Sequence, residues 1–279
     1  MNDDPGRAER LMQETADWWR TGITRVEPNH IRIRGYAIEE LMGRIGLAEM
    51  QWLLVHGELP TRAQAALLEA AMLGCVDHGP HAPSIAAARV AVTCGVAMNG
   101  AMAQSAGVLG DIHGGAIQQA MELYESVAGR VGPDAALGEV ADAVDRFAEG
   151  YGGFVPGFGH RFHTNDPRTP RLLALAEDAR AEGVIGGRFI DLARQVEAAI
   201  EHRKGRRIPM NIDGAAAAVY LELGFAPPLG RGLLVLARLM GAMANAWEQM
   251  CQGGRIKGPV PKGVGYHYEG PDPRVFPSS

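Results

Sequence analysis

The stretch GFGHRFHTNDPR, Gly157 to Arg168, sets His160 between glycines and Arg161 and closes on Arg168 after Asp-Pro. Glycines let backbone approach a ligand, an arginine fork matches a carboxylate or phosphate, and an imidazole beside them can donate or accept a proton. Alone, the stretch reads either as an anion-binding turn or as a solvated loop with two surface arginines. His160 and His163 have i, i+3 spacing, but that spacing by itself points to no metal site, and none is expected.

Four other places hold residues able to do chemistry. In GDIHGGAIQQAMELY, His113 stands just before two glycines and a helical pattern. N–H groups at a helix start disfavour an imidazolium nearby, so His113 is either a neutral hydrogen-bond donor or a satisfied histidine at a cap. In PMNIDGAAAAVYLELGF, Asp213 opens an alanine-rich helix, where it can serve as an N-cap, as a base, or as both. Arg238 lies inside the apolar helical pattern LARLMGAMANAWEQM, which requires either a bound carboxylate or an internal ion pair. CVDHGPHAPSIAAARV places His78 as a ligand contact or a plain loop residue.

The elements that must position these residues are helical. Apolar residues recur at helical spacing from Ile38 to Ile45, Met50 to Leu54, Ala65 to Cys75, Leu172 to Ala181 and Phe189 to Ile200. Strands are expected only near Ile31 to Arg34 and in the last twenty-odd residues. The Ala/Gly-rich run from Ser84 to Leu109 predicts closely packed helices, in a core or a subunit interface, because small side chains let helix axes approach. Gly132-Pro133, Gly152-Gly153, Gly186-Gly187 and Pro227-Pro228 punctuate the remainder. The expected fold is mostly α, a large helical domain of residues 1–120 plus 228–279 with a small helical domain, 121–227, inserted.

Composition excludes several classes. The chain has 279 residues, 47% of them apolar, enough to bury a substantial core. With 27 Lys plus Arg against 32 Asp plus Glu, the net charge of −5 provides no broad basic field, so nucleic acid is not an expected partner. Cys75, Cys94 and Cys251 have no CxxC spacing and read as buried thiols in a reducing compartment. MNDDPGRAER has no apolar core and reads as neither signal peptide nor anchor. Arg89, Asn99 and Gln104 interrupt the long weakly polar run, so no membrane span is expected, and the location is expected to be cytoplasmic.

Taken in order, a histidine before Gly-Gly-Ala, GFGHR with DPR, N-x-D at a helix start and an arginine in a glycine-containing helix resemble the citrate synthase superfamily. Upstream, IRGYAIEELMG and VHGELPTRAQ look like that family's RGY-IEEL and GELP segments. The resemblance runs from about residue 30 to residue 255. His113 follows the citrate synthases, whereas the chain's length and its DHGP loop resemble the citryl-CoA lyase module, the citrate synthase-like portion of ATP-citrate lyase.

The resemblance implies that one carbon–carbon bond between acetyl-CoA and oxaloacetate is made or broken. By it, Asp213 moves a proton at the acetyl carbon and His113 donates a hydrogen bond to the thioester oxygen. His160 protonates the oxaloacetate carbonyl oxygen or accepts the citryl hydroxyl proton. His78, Arg168 and Arg238 hold carboxylates, with Arg161 beside them, and Arg255 is the candidate for an arginine reaching a neighbouring subunit's site. It further implies a homodimer and no tightly bound cofactor, with a coenzyme A thioester as substrate and a separate enzyme to activate citrate. The activity expected is citryl-CoA cleavage. The alternatives are a citrate or 2-methylcitrate synthase and, in another class, a non-catalytic partner subunit that binds CoA thioesters.

Overall fold

The computed structural model describes residues 7–160, 163–256, 260 and 263–276. In chain order the elements are α1 (Arg7–Trp18), β1 (Thr24–Glu27), β2 (His30–Ile33), β3 (Tyr36–Ala37), α2 (Ile38–Leu41), α3 (Leu47–His56) and α4 (Arg62–Leu73). They continue with α5 (Pro83–Thr93), α6 (Met98–Gly107), α7 (Ala116–Ala128), α8 (Leu137–Glu149), α9 (Arg168–Ala181), α10 (Arg188–Lys204), α11 (Ile212–Glu222) and α12 (Pro227–Gln252). The mostly helical class expected from the sequence is the class observed.

Two compact units divide the chain: Met1–Cys75 with Gly115–Leu234, and Val76–Gly114 with Val235–Ser279. The segment 121–227, read from sequence as a small domain, falls inside the first unit.

In the first unit, β1, β2 and β3 form an antiparallel meander in which Glu27 pairs with His30 and Ile33 with Tyr36. The two-residue turn between β1 and β2 works because Asn29 accepts a left-handed φ of 65°. A reciprocal cap starts α4: Thr61 Oγ1 accepts from Gln64 N at 3.2 Å, and Gln64 Oε1 accepts from Thr61 N at 2.9 Å. At the centre lies α11, with Ile212 and Gly214 to Leu221 buried, packed by α4, α7, α9 and α10. Its run of four alanines lets these neighbours approach closely.

In the second unit, α5, α6 and the C-terminal part of α12 share a core of Ala82, Ile85, Ala88, Ala91, Ala101, Ala242 and Ala246. This is the close packing that the Ser84 to Leu109 composition predicts. Gly241 is required there, since a Cβ would stand 2.3 Å from the Val76 carbonyl oxygen. Arg89, which interrupts the small-residue run, reaches Glu248 at 2.7 Å and Gln252 at 2.8 Å.

Two expectations need correction. No strand forms among the described residues after α12, because neither described edge of the three-stranded sheet is paired with them. Val264, Tyr266 and Tyr268 alternate as a strand would, but they are exposed. No disulfide joins the three cysteines, but only Cys75 is buried; Cys94 and Cys251 are exposed near helix ends. Pro227-Pro228 opens α12, as suits the first helical turn, where a missing N–H costs nothing. No helix among the described residues is long and apolar enough to cross a membrane.

Candidate active site

In the first unit, the candidate residues gather around the start of α11. Its opening N–H groups are all accounted for. Ile212 N donates to Asp166 Oδ2 at 3.1 Å, while Asp213 N and Gly214 N donate to Asn211 Oδ1 at 3.0 and 3.2 Å. Asn211 is therefore the N-cap, and the capping reading of Asp213 is corrected. Asp213 follows on the first turn, half-buried.

The glycine-rich stretch is fastened to the same place. Asn211 N donates to the Gly157 oxygen at 3.0 Å, Gly159 N to the Pro209 oxygen at 2.7 Å, and Asn211 Nδ2 to the Gly159 oxygen at 2.7 Å. Side chains are excluded at the crossing, since a Cβ on Gly214 would lie 2.5 Å from the Gly157 oxygen. His160 is consequently tied to Asp213 through a short path of backbone. Its Nδ1 accepts from His163 N at 3.2 Å, which places the proton of the neutral ring on Nε2. Arg161, a candidate ligand contact, lies outside the described residues.

Arg168 is neither a surface arginine nor an uncommitted one. Its Nε and Nη2 form a fork with Asp166 at 2.9 and 2.8 Å, and its Nη1 donates to the Gly74 oxygen at 2.8 Å. Burial alone would raise the Asp166 pKa. The Arg168 hydrogen bonds and charge, with the Ile212 N–H, outweigh it and bring the group down to about 2.

In the second unit, His113 precedes α7 but is governed by a different helix. Ser84 N, on the first turn of α5, donates to His113 Nε2 at 3.2 Å, and Ser84 Oγ lies 3.1 Å from the same nitrogen. Arg238 Nη1 donates to Ser84 Oγ at 3.4 Å, leaving the hydroxyl hydrogen to point at the imidazole. An Nε2 that accepts must be unprotonated, so the ring carries its proton on Nδ1. Burial first, and then the Arg238 charge, lowers the His113 pKa below its ordinary 6.5. The neutral-donor reading thus has a geometric basis, supplied by α5 rather than by the helix that follows His113 in sequence.

Arg238 itself is 7% exposed. His78 is half-buried in a loop whose turn is held by Asp77, whose Oδ1 accepts from His78 N at 2.7 Å and Gly79 N at 3.0 Å. Asn245 Nδ2 donates to the other Asp77 oxygen at 3.0 Å, anchoring this loop to α12. Arg255 is exposed, next to Ile256, whose N–H reaches the Thr93 oxygen at 3.0 Å.

Sequence reasoning missed Ser84, Asp166, Asn211 and Asn245. Two of them carried a signal: Pro83-Ser84 reads as the first two positions of a helix, and Asn211 stands where an Asx cap is favoured.

Comparison with known proteins gives this geometry its setting. The model of the citrate synthase C-terminal domain family matches residues 14–72 and 64–259. The citrate synthase of Haloferax volcanii is 26% identical over 70% of this chain and 49% of its own length, and citrate synthase 2 of Bacillus subtilis is 25% identical over 83% and 58%. The chain thus spans about half the length of the curated relatives it matches. The solved citryl-CoA lyase from Hydrogenobacter thermophilus superposes with a TM-score of 0.80 at 30% identity, covering 93% of this chain and 97% of that one. ATP citrate lyase from Methanothrix soehngenii, solved with citrate and coenzyme A, shares the fold at a TM-score of 0.75 and 21% identity over 97% of this chain and 45% of that one. With a family match across most of its length, and with His113, His160 and Asp213 on the framework just described, the chain belongs to the citrate synthase family.

Proposed function

We propose that the protein is a citryl-CoA lyase, cleaving citryl-CoA to acetyl-CoA and oxaloacetate and able to run the condensation. The observation that carries the reading is the Ser84 N to His113 Nε2 hydrogen bond, because it leaves Nδ1–H as a fixed neutral donor. Such a donor, aimed at a thioester oxygen, stabilises the enolate that forms when the carbon–carbon bond breaks. Asp213 delivers a proton to the acetyl carbon in cleavage and removes it in condensation. A methyl hydrogen beside a thioester is far less acidic than a carboxylic acid, so positioning and enolate stabilisation must supply what basicity does not. His160 addresses the oxygen that is carbonyl in oxaloacetate and hydroxyl in citryl-CoA, while His78, Arg168 and Arg238 hold carboxylates. The protein acts as a homodimer to which Arg255 contributes across subunits, a coenzyme A thioester is substrate rather than cofactor, and a separate enzyme activates citrate.

Near-complete mutual coverage with the Hydrogenobacter lyase supports cleavage. The names of the curated relatives support a second reading, a citrate or 2-methylcitrate synthase that also hydrolyses the thioester. Purified protein given synthetic citryl-CoA separates the two. Oxaloacetate with acetyl-CoA is the expected result; citrate with free CoA selects the synthase, and tight binding without turnover selects the non-catalytic partner.

A further inference from the structure

We infer that Asp166 is a positioning residue, whose carboxylate aims the Arg168 guanidinium and sets the start of the helix that carries Asp213. The inference rests on the proposed function for the identity of the anion that Arg168 holds. Its structural half stands independently of that reading.

Asp166 is 3% exposed, and its two oxygens receive four donors. Oδ1 accepts from Arg168 N at 3.1 Å and Arg168 Nε at 2.9 Å; Oδ2 accepts from Arg168 Nη2 at 2.8 Å and Ile212 N at 3.1 Å. One carboxylate therefore joins α9, on which Arg168 is the first residue, to the first N–H of α11. Pro167, with φ at −66°, stiffens the connection between acid and guanidinium.

Contacts to Asp166 and Gly74 engage each guanidinium nitrogen once. Of the five hydrogens on such a group, among the described residues one on each terminal nitrogen is left by these contacts. Hydrogens of this kind donate to carboxylates. Asp166 thus does more than neutralise a cation: it fixes the plane in which the remaining hydrogens lie.

Two consequences of removing Asp166 oppose each other, and their opposition provides the test. Asp166→Asn deletes a negative charge beside the cation that holds an anionic substrate, so charge alone would tighten oxaloacetate binding. Loss of aim would weaken it. Oxaloacetate and CoA are titrated against wild type, Asp166→Asn and Asp166→Ala, with thermal melting to verify folding. Amide exchange at Ile212 is followed in the ligand-free proteins.

The expected result is oxaloacetate affinity about tenfold lower in Asp166→Asn and no better in Asp166→Ala, CoA affinity changed by less than about twofold, and faster Ile212 exchange in Asp166→Ala. Equal or tighter oxaloacetate binding by Asp166→Asn overturns the inference. So does Ile212 exchange that stays at the wild-type rate in Asp166→Ala. If wild type itself binds no oxaloacetate, the proposed function fails instead, and Ile212 exchange then decides alone whether Asp166 sets the start of α11. Should Asp166→Ala not fold, Asp166→Asn, which keeps the shape and one acceptor, carries both readouts.

Discussion

The two units equip a functional residue by opposite electrostatic means. Around Arg168, a cation is held by a buried anion, and the start of α11 is closed by the side chains of Asp166 and Asn211. Around His113, the aim is to avoid a charge: burial first, then a buried arginine, keeps the imidazole neutral, and a helix N–H fixes its tautomer. The first arrangement suits a partner of fixed charge, such as a carboxylate. The second suits an oxygen that gains negative charge only as a reaction proceeds, because a neutral donor costs less to keep in a half-buried place than an imidazolium. A single helix-start rule applied to both sequences would treat them alike. What separates them is where the polar partner of each N–H comes from.

The largest effect should come from Asp213, the one residue of this set assigned a proton transfer at carbon. Asp213→Asn should lower turnover by about two to four orders of magnitude while leaving substrate binding near normal. Because Asn211 accepts from the backbone N–H of residue 213 and not from its side chain, the variant should also keep its melting temperature. Steady-state kinetics and a thermal melt read the two separately. Turnover near wild type would remove Asp213 from the mechanism.

The arginines test the comparison directly. Replacing Arg168 or Arg238 by Leu removes a charge-assisted contact, worth about 1.5 to 3 kcal/mol, so oxaloacetate affinity should fall roughly ten- to hundredfold in either variant. Stability should not respond equally. Arg168→Leu strands the buried Asp166 carboxylate, whereas Arg238→Leu takes a donor from the uncharged Ser84 hydroxyl. Binding titrations with paired denaturation curves give both numbers. If the two variants bind normally but melt early, both arginines are structural.

Acid provides a probe of the ion pair without mutation. The Asp166 pKa is depressed, from an ordinary 3.8 to about 2, so its stabilisation is complete above about pH 4 and is lost as pH falls through the folded value. That displacement corresponds to about 2 kcal/mol between roughly pH 4 and pH 2. Arg168→Leu should flatten this part of the stability curve in proportion. A stability curve unchanged in slope would show that the pair contributes little.

Much of the helical framework was legible because its signal is local. The periodic runs ending in Ala181 and Ile200 lie within α9 and α10, and the small residues after Ser84 became the alanine core of the second unit. Local reading also singled out His113, Arg168, Asp213 and Arg238 as candidates. It failed wherever the deciding partner was distant along the chain: Ser84 lies 29 residues from His113, and Asp166 lies 46 from Ile212. Spacing along a sequence specifies which residues share a helix face but not which helix start will meet a given side chain. β1 and β3 were missed for a related reason, since four- and two-residue strands exist only through pairing with β2. The C-terminal alternation of Val264, Tyr266 and Tyr268 shows the converse, a strand pattern without a described partner strand.

The smallest effect should come from Ser84→Ala, which isolates the hydroxyl from the backbone in the neutral-histidine half. The N–H of residue 84 persists in the variant and still donates to Nε2, so the tautomer, and with it the Nδ1 donor, should survive. Only the Oγ contact at 3.1 Å is lost, together with the link it makes to Arg238 at 3.4 Å. One hydrogen bond between uncharged groups contributes about 0.5 to 1.5 kcal/mol net, so turnover should fall by no more than about tenfold. The sign of the pH effect is the sharper readout. Wild-type His113 has a lowered pKa, so the acid limb that it sets should lie below pH 6.5. A hydroxyl donating to Nε2 favours the neutral ring, hence its removal should raise that pKa and move the acid limb upward in pH. Burial and the Arg238 charge remain in the variant, which keeps the movement small. A pH–rate profile for each protein gives the comparison, and a limb that stays in place would mean that the backbone N–H and burial alone keep His113 neutral.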